Sequence, residues 1–104
     1  MLVPNARQVD DFMRGIPEDS RMSVREFRSR LAEAHGAEAT CPVTTGFHLR
    51  TVAEAAHEAL ERGASVETVT PFWRVLDAAT PTTSKLSFGA DFLVARRRHE
   101  GLEA

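Results

Sequence analysis

Cys41 is the sole thiol in the sequence, and a thiol becomes a nucleophile or a metal ligand only where its surroundings favour the thiolate. Its neighbours Thr40, Pro42 and Val43 carry no base, and no histidine stands at motif spacing from it. It reads equally as a small, half-buried side chain. His35, His48, His57 and His99 share no ligand spacing, and neither C-x-x-C nor H-E-x-x-H occurs, so neither a metal nor a cofactor is expected. With no assembled nucleophile and base, the expectation is a protein that is not an enzyme.

Binding chemistry is better supplied. A helix start exposes unpaired backbone N–H groups that suit a phosphate, and hydroxyls beside it add donors. Ser23, Thr44 and Thr45 stand where two helices should begin, with Arg25 and Arg50 able to add charge. The threonines could instead serve only as caps. Arg50 could equally lie on a solvated face, or pair with Glu54 at the i+4 spacing. A second group is Phe72-Trp73-Arg74. Adjacent aromatics in an extended segment face opposite ways, so one could pack inward while the other lines a pocket. Both could also belong to the core, where large aromatics dominate.

The elements that would position these residues follow from apolar spacing. Val9, Phe12, Met13 and Ile16 predict a helix over about Ala6 to Arg14, capped by Asn5 and stopped by Gly15 and Pro17. Ser23-Val24-Arg25-Glu26 has the form of a capping box, opening a second helix to about His35 with Phe27 and Leu31 inward, Val24 and Ala34 near them, and Gly36 as its C-terminal cap. Thr44 or Thr45 should cap a third helix whose stripe is Leu49, Val52, Ala53, Ala56 and Leu60, ending at Gly63. One short turn is expected within Ala64 to Thr70. Pro71 to Leu76 suits a short strand, Asp77 to Ser84 a hairpin tip, and Lys85 to Phe88 a returning strand. A closing helix should run from about Ala90 to His99, with Phe92, Leu93 and Ala95 inward, and with Arg96, Arg97 and Arg98 mostly outward, complementing its dipole.

The predicted fold is mainly α, formally α+β: a winged helix-turn-helix-like domain with a short two-stranded wing and a closing C-terminal helix. At 104 residues and 42% hydrophobic composition, residues 1–104 are expected to form one domain with its own core. The net charge of −2, from 13 basic and 15 acidic residues, excludes the overall basic footprint of a strong nonspecific nucleic-acid binder. A single cysteine points to a reducing compartment. Met1 to Arg7 has no apolar stretch of signal-peptide length, and no run approaches the roughly 18 apolar residues that span a bilayer. A cytoplasmic protein without membrane contact is expected.

In five pieces the sequence resembles the DNA-binding and active-site domain of the O6-alkylguanine-DNA alkyltransferases and their alkyltransferase-like relatives. The pieces are Ile16-Pro17 with Met22-Ser23-Val24; Leu31-Ala32 with Gly36; Gly46 to Arg50, similar to the family's V-G-x-A-x-R; Pro71-Phe72-Trp73-Arg74-Val75, where the family has P-C-H-R-V or P-W-H-R-V; and Phe88-Gly89 through Glu100-Gly101. The resemblance implies a DNA-binding fold whose acceptor cysteine and histidine are replaced by Phe72 and Trp73. Glu100 would keep its place without that histidine, and Arg74 could pair internally, Glu100 being one partner open to it. The base-flipping residues are replaced by Val24 and Val43. The pocket set is then Phe72, Trp73, Arg74 and Glu100, and the DNA set Ser23, Arg25, Thr44, Thr45 and Arg50. The expected function is noncatalytic binding of duplex DNA, weak and salt-sensitive, in damage recognition, repair or regulation. The alternative is a protein-interaction scaffold that no longer binds DNA.

Overall fold

Asn5 opens the first helix by a reciprocal cap: its side chain accepts from the Gln8 amide at 2.8 Å, while Gln8 Oε1 accepts from the Asn5 amide at 2.9 Å. This helix, α1, spans Ala6–Arg14 in the computed structural model, which describes residues 1–18 and 20–102. Val9 and Met13 are buried, as is Ile16 just beyond the helix. Phe12 meets Phe27 edge-to-face at 5.4 Å, joining α1 to the next helix. That helix, α2, spans Val24–Ala34, and the Ser23 hydroxyl accepts from the Glu26 amide at 3.1 Å. It buries Phe27, Leu31 and Ala32. Ala34, expected near the core, is exposed: it shares the Phe27–Leu31 face but is the last residue of the helix, beyond the core.

The third helix, α3, spans Pro42–Glu61 and starts earlier than expected. Pro42 has no N–H to lose and a φ suited to a helix, so it occupies the first turn with Cys41 as N-cap. Thr44 and Thr45 therefore lie inside α3 and do not cap it. The apolar stripe is as expected: Leu49, Val52, Ala53 and Ala56 are buried and Leu60 packs at its end. Gly63, at φ +100, closes the helix, with the Ala64 amide donating back to the Ala59 carbonyl at 3.0 Å. α1 packs along α3.

The expected two-stranded wing is absent: the described residues contain no β-strand, only a single parallel bridge between Leu2 and Thr40. Short 3₁₀ turns stand in its place, at Phe72–Arg74 and Pro81–Lys85, after an earlier one at Val66–Thr68 in the segment where a turn was expected. Local hydrogen bonds consume the groups a strand ladder would need. The Phe72 amide donates to Thr70 O, and the Leu76 amide to Phe72 O, both at 2.9 Å. At the supposed hairpin tip, Asp77 Oδ1 accepts from the Ala79 amide and the Thr80 hydroxyl at 2.9 Å, folding the chain on itself. Pro81 then offers no donor at all.

The last helix, α4, spans Asp91–His99. Its buried face carries Leu93, Arg97 and, at its end, Glu100. Arg97 was expected outside and Ala95 inside; the structure reverses both, because Leu93, Arg97 and Glu100 share the i, i+4, i+7 face. The Phe72–Arg74 turn packs between α3 and α4, and the Pro81–Lys85 turn lies against α3. Among the described residues no helix is long and apolar enough to cross a membrane.

Candidate functional site

Two places in this frame gather the residues singled out above. The first is the Phe72–Arg74 turn with the end of α4. Phe72 is fully buried within an aromatic cluster, with ring centroids at 5.3 Å from Trp73, 5.6 Å from Phe88 and 6.0 Å from Phe92. It cannot line a pocket. Trp73, also buried, donates its indole N–H to Glu100 Oε2 at 2.7 Å. Arg74 holds the same carboxylate with two bonds, Nε to Oε1 at 2.9 Å and Nη2 to Oε2 at 3.0 Å, and reaches the Ile16 carbonyl with Nη1 at 2.7 Å. The expected Arg74–Glu100 pairing is thus formed.

Two arginines unforeseen in this role complete the cluster. Arg97 Nη1 donates to the Trp73 carbonyl at 2.8 Å and to Leu76 O at 3.3 Å. The Arg96 guanidinium lies over the Trp73 ring at 5.2 Å and within 3.8 Å of Glu100. The i, i+4, i+7 spacing of Leu93, Arg97 and Glu100 was the signal for Arg97; nothing in the sequence announced the stacking of Arg96. Burial, the largest influence on Glu100, pushes its carboxyl up. The hydrogen bonds from Arg74 and Trp73, then the charges of Arg74 and Arg96, outweigh burial and hold it below the usual carboxylate range.

Trp73, Arg74 and Glu100 share one open cleft of 310 Å³ with Arg14, Arg96 and His99, so three of the four expected pocket residues come together. The carboxylate there is already committed to its indole and guanidinium partners. Proton transfer by Glu100 would have to break that network.

The second place is the start of α3. Val43 and Phe47 are exposed to 80% and 64%, and Arg50 is exposed on the same side. At 3.6 residues per turn these three fall within roughly 60° of arc, directly opposite the buried stripe. Arg50 makes no ion pair with a described residue; Glu54, one of the alternatives open to it at the i+4 spacing, instead accepts from the Ser87 hydroxyl at 2.7 Å. The exposed pair was legible as an i, i+4 repeat off the core face, yet sequence reasoning treated Val43 only as a lost residue and passed over Phe47.

The expected DNA set is only partly brought together. Thr45 is fully buried, its hydroxyl donating to Cys41 O at 2.7 Å, and cannot touch a partner. Thr44 is half-buried and donates to Cys41 Sγ at 3.4 Å. That hydroxyl, and then the Thr44 amide, hold the Cys41 thiol below its ordinary pKa against a weaker upward push from burial. Ser23 is exposed but spent as the cap of α2. Arg25 is exposed and lines a 300 Å³ groove with Arg28, Glu33, Glu38 and Thr40. Since Thr40 donates to the Arg28 carbonyl at 2.8 Å, this groove runs into the segment that enters α3. Among the described residues no group of three or more His, Cys, Asp or Glu is placed to hold a metal ion. Compared with known proteins, the chain matches no family model, no curated protein and no solved structure.

Proposed function

We propose that this chain is a noncatalytic DNA-binding protein of helix-turn-helix type, related to the alkylguanine alkyltransferases and acting in damage recognition or its regulation in the cytoplasm. One observation carries the reading: one face of the start of α3, with Val43, Phe47 and Arg50, is exposed, Arg50 is unpaired among the described residues, and the Arg25–Arg28 groove leads toward the same helix start. Exposed guanidiniums are groups that take up backbone phosphate. The proposed contact set is Arg25, Arg28, Arg50 and the Thr44 region, without Thr45. Phe72 fills the acceptor position with a buried ring, and alkyl transfer is not part of the proposed activity.

Titration with duplex DNA across a salt series tests this. Observed affinity should fall linearly in a log-log plot, with a slope of about −0.9 per phosphate contacted. Arg50→Ala should weaken binding and flatten the slope by about one unit, while Arg98→Ala, at the far end of α4, should change little. Absence of binding at low salt, or equal losses in the two variants, overturns the reading.

A second reading, a protein-interaction scaffold, is favoured by one feature. The exposed large hydrophobics, Val43, Phe47, Met1 and Val3, lie either on the start of α3 or in the N-terminal segment bridged to Thr40 just before it. An exposed apolar cluster of this kind marks interaction sites. Loss of DNA binding together with saturable capture of a defined protein partner that Phe47→Ala abolishes would select it.

A further inference from the structure

We propose that the cleft beside Trp73 binds a free amino acid with an apolar side chain, its carboxylate on Arg96 and its ammonium on Glu67; this goes beyond the DNA-binding reading and does not depend on it. The starting point is an unmet donor. Arg96 donates to no described residue: its Nε is buried without a hydrogen-bond partner, and its approach to Glu100, at 3.8 Å, is too long for a hydrogen bond. Stacking over the Trp73 ring at 5.2 Å holds the cation in place but supplies no acceptor in its plane. A largely buried guanidinium in that state calls for an acceptor from outside the chain. The side chain lines the cleft, where a planar guanidinium takes a carboxylate by two parallel bonds.

The other charges of the cleft decide what the ligand carries besides a carboxylate. Arg74 is neutralised by Glu100 at 2.9 Å and Arg14 by Asp10 at 3.0 Å. Glu67 and Glu18, exposed on the lining, pair with no described cation. One unmatched guanidinium in a cleft with unmatched carboxylates complements a zwitterion and disfavours a simple anion. Glu67 is the acid held in place: its amide donates to Ser65 Oγ at 3.2 Å, and Arg14 Nη1 donates to the next carbonyl, Thr68 O, at 3.1 Å. Val66, Val69 and Pro71 line the same cleft and give an apolar side chain a surface. Its 310 Å³ stands at the lower end of the volumes that hold small ligands.

The experiment titrates the full chain with leucine and two partial mimics: isocaproate, which lacks the ammonium, and isoamylamine, which lacks the carboxylate. Trp73 is the sole tryptophan, so the shift of its indole N–H in proton–nitrogen spectra reports on the cleft directly. Leucine should give a saturable shift, and each mimic should bind about tenfold more weakly, the scale of one charge-assisted bond. Glu67→Gln, a surface change, should weaken leucine about tenfold and leave isocaproate unchanged. Arg96→Gln should weaken leucine and isocaproate alike and leave isoamylamine unchanged, with the denaturation midpoint checking that the fold is kept. If Arg96→Gln does not fold, the Glu67→Gln comparison decides alone. No saturable shift with leucine up to its solubility overturns the site. Isocaproate binding as tightly as leucine, or leucine binding unaltered by Glu67→Gln, overturns the zwitterion.

Discussion

The end of α4 and the start of α3 use their polar and apolar groups in opposite ways. Around Glu100, each carboxylate oxygen, the Trp73 indole and most of the Arg74 guanidinium are committed to partners inside the protein. Around Phe47, two large side chains and a guanidinium face outward with little to satisfy them. The first arrangement is what a fold needs to bury charge safely, since a buried ion is tolerated only when paired and hydrogen-bonded. The second leaves two apolar side chains and a cation facing solvent. The Trp73–Arg74–Glu100 cluster is thus committed within the fold, and the start of α3 carries the exposed groups.

Substitutions should separate the two regions sharply. Glu100→Ala strips the acceptor from Trp73 and leaves Arg74 unpaired, at a cost of about 3–5 kcal/mol. Trp73→Ala should cost about as much through the cavity it leaves. Chemical denaturation measures both, and a loss below about 1 kcal/mol for Glu100→Ala would show that the network is not a structural anchor. A smaller effect concerns pH. The folded-state pKa of Glu100 lies below that of an unfolded glutamate, so its contribution is fully present above the unfolded value of roughly 4.3 and is lost as pH falls through the folded value. Glu100→Gln should therefore lower stability at neutral pH and flatten its decline in acid, measured as denaturation midpoints from pH 6 downward. An unchanged acid limb would place the titrating group elsewhere. The smallest expected effect is at the other pole: Phe47→Ala should shift stability by no more than about 0.5 kcal/mol. A larger loss would mean that Phe47 is packed, and the contrast between the regions would fail.

How far the sequence shows this depends on the element. The helices were legible because each has its own local signals: the Asn5 and Ser23 caps, the Leu49–Leu60 stripe, Gly63. The 3₁₀ turns were not, since Pro71 to Leu76 is aromatic and β-branched like a strand, and only the return of the Leu76 amide to Phe72 O makes it a turn. Spacing alone could have assigned Arg97 to the inner face of α4. The name of the residue misled, because three consecutive arginines suggest a solvated end. At the site, the Arg74–Glu100 pairing was legible from sequence, whereas the burial of Thr45 depended on a helix start moved by Pro42. The prominence of Phe47 is visible only once the opposite face of α3 is known to be filled.

The bridge between Leu2 and Thr40 has a practical bearing on all of this. The Leu2 amide donates to Ala39 O at 2.7 Å, and the Cys41 amide donates to Leu2 O at 2.8 Å. Cys41 is the N-cap of α3, so the N-terminal segment is latched onto the residue from which that helix begins. Because the bridge is parallel, Met1 runs alongside Ala39, so a segment fused ahead of it would emerge toward Glu38, at the edge of the Arg25–Arg28 groove. Amide hydrogen exchange at Cys41 would report directly on whether the latch is closed, giving a residue-level readout of the helix start that needs no ligand.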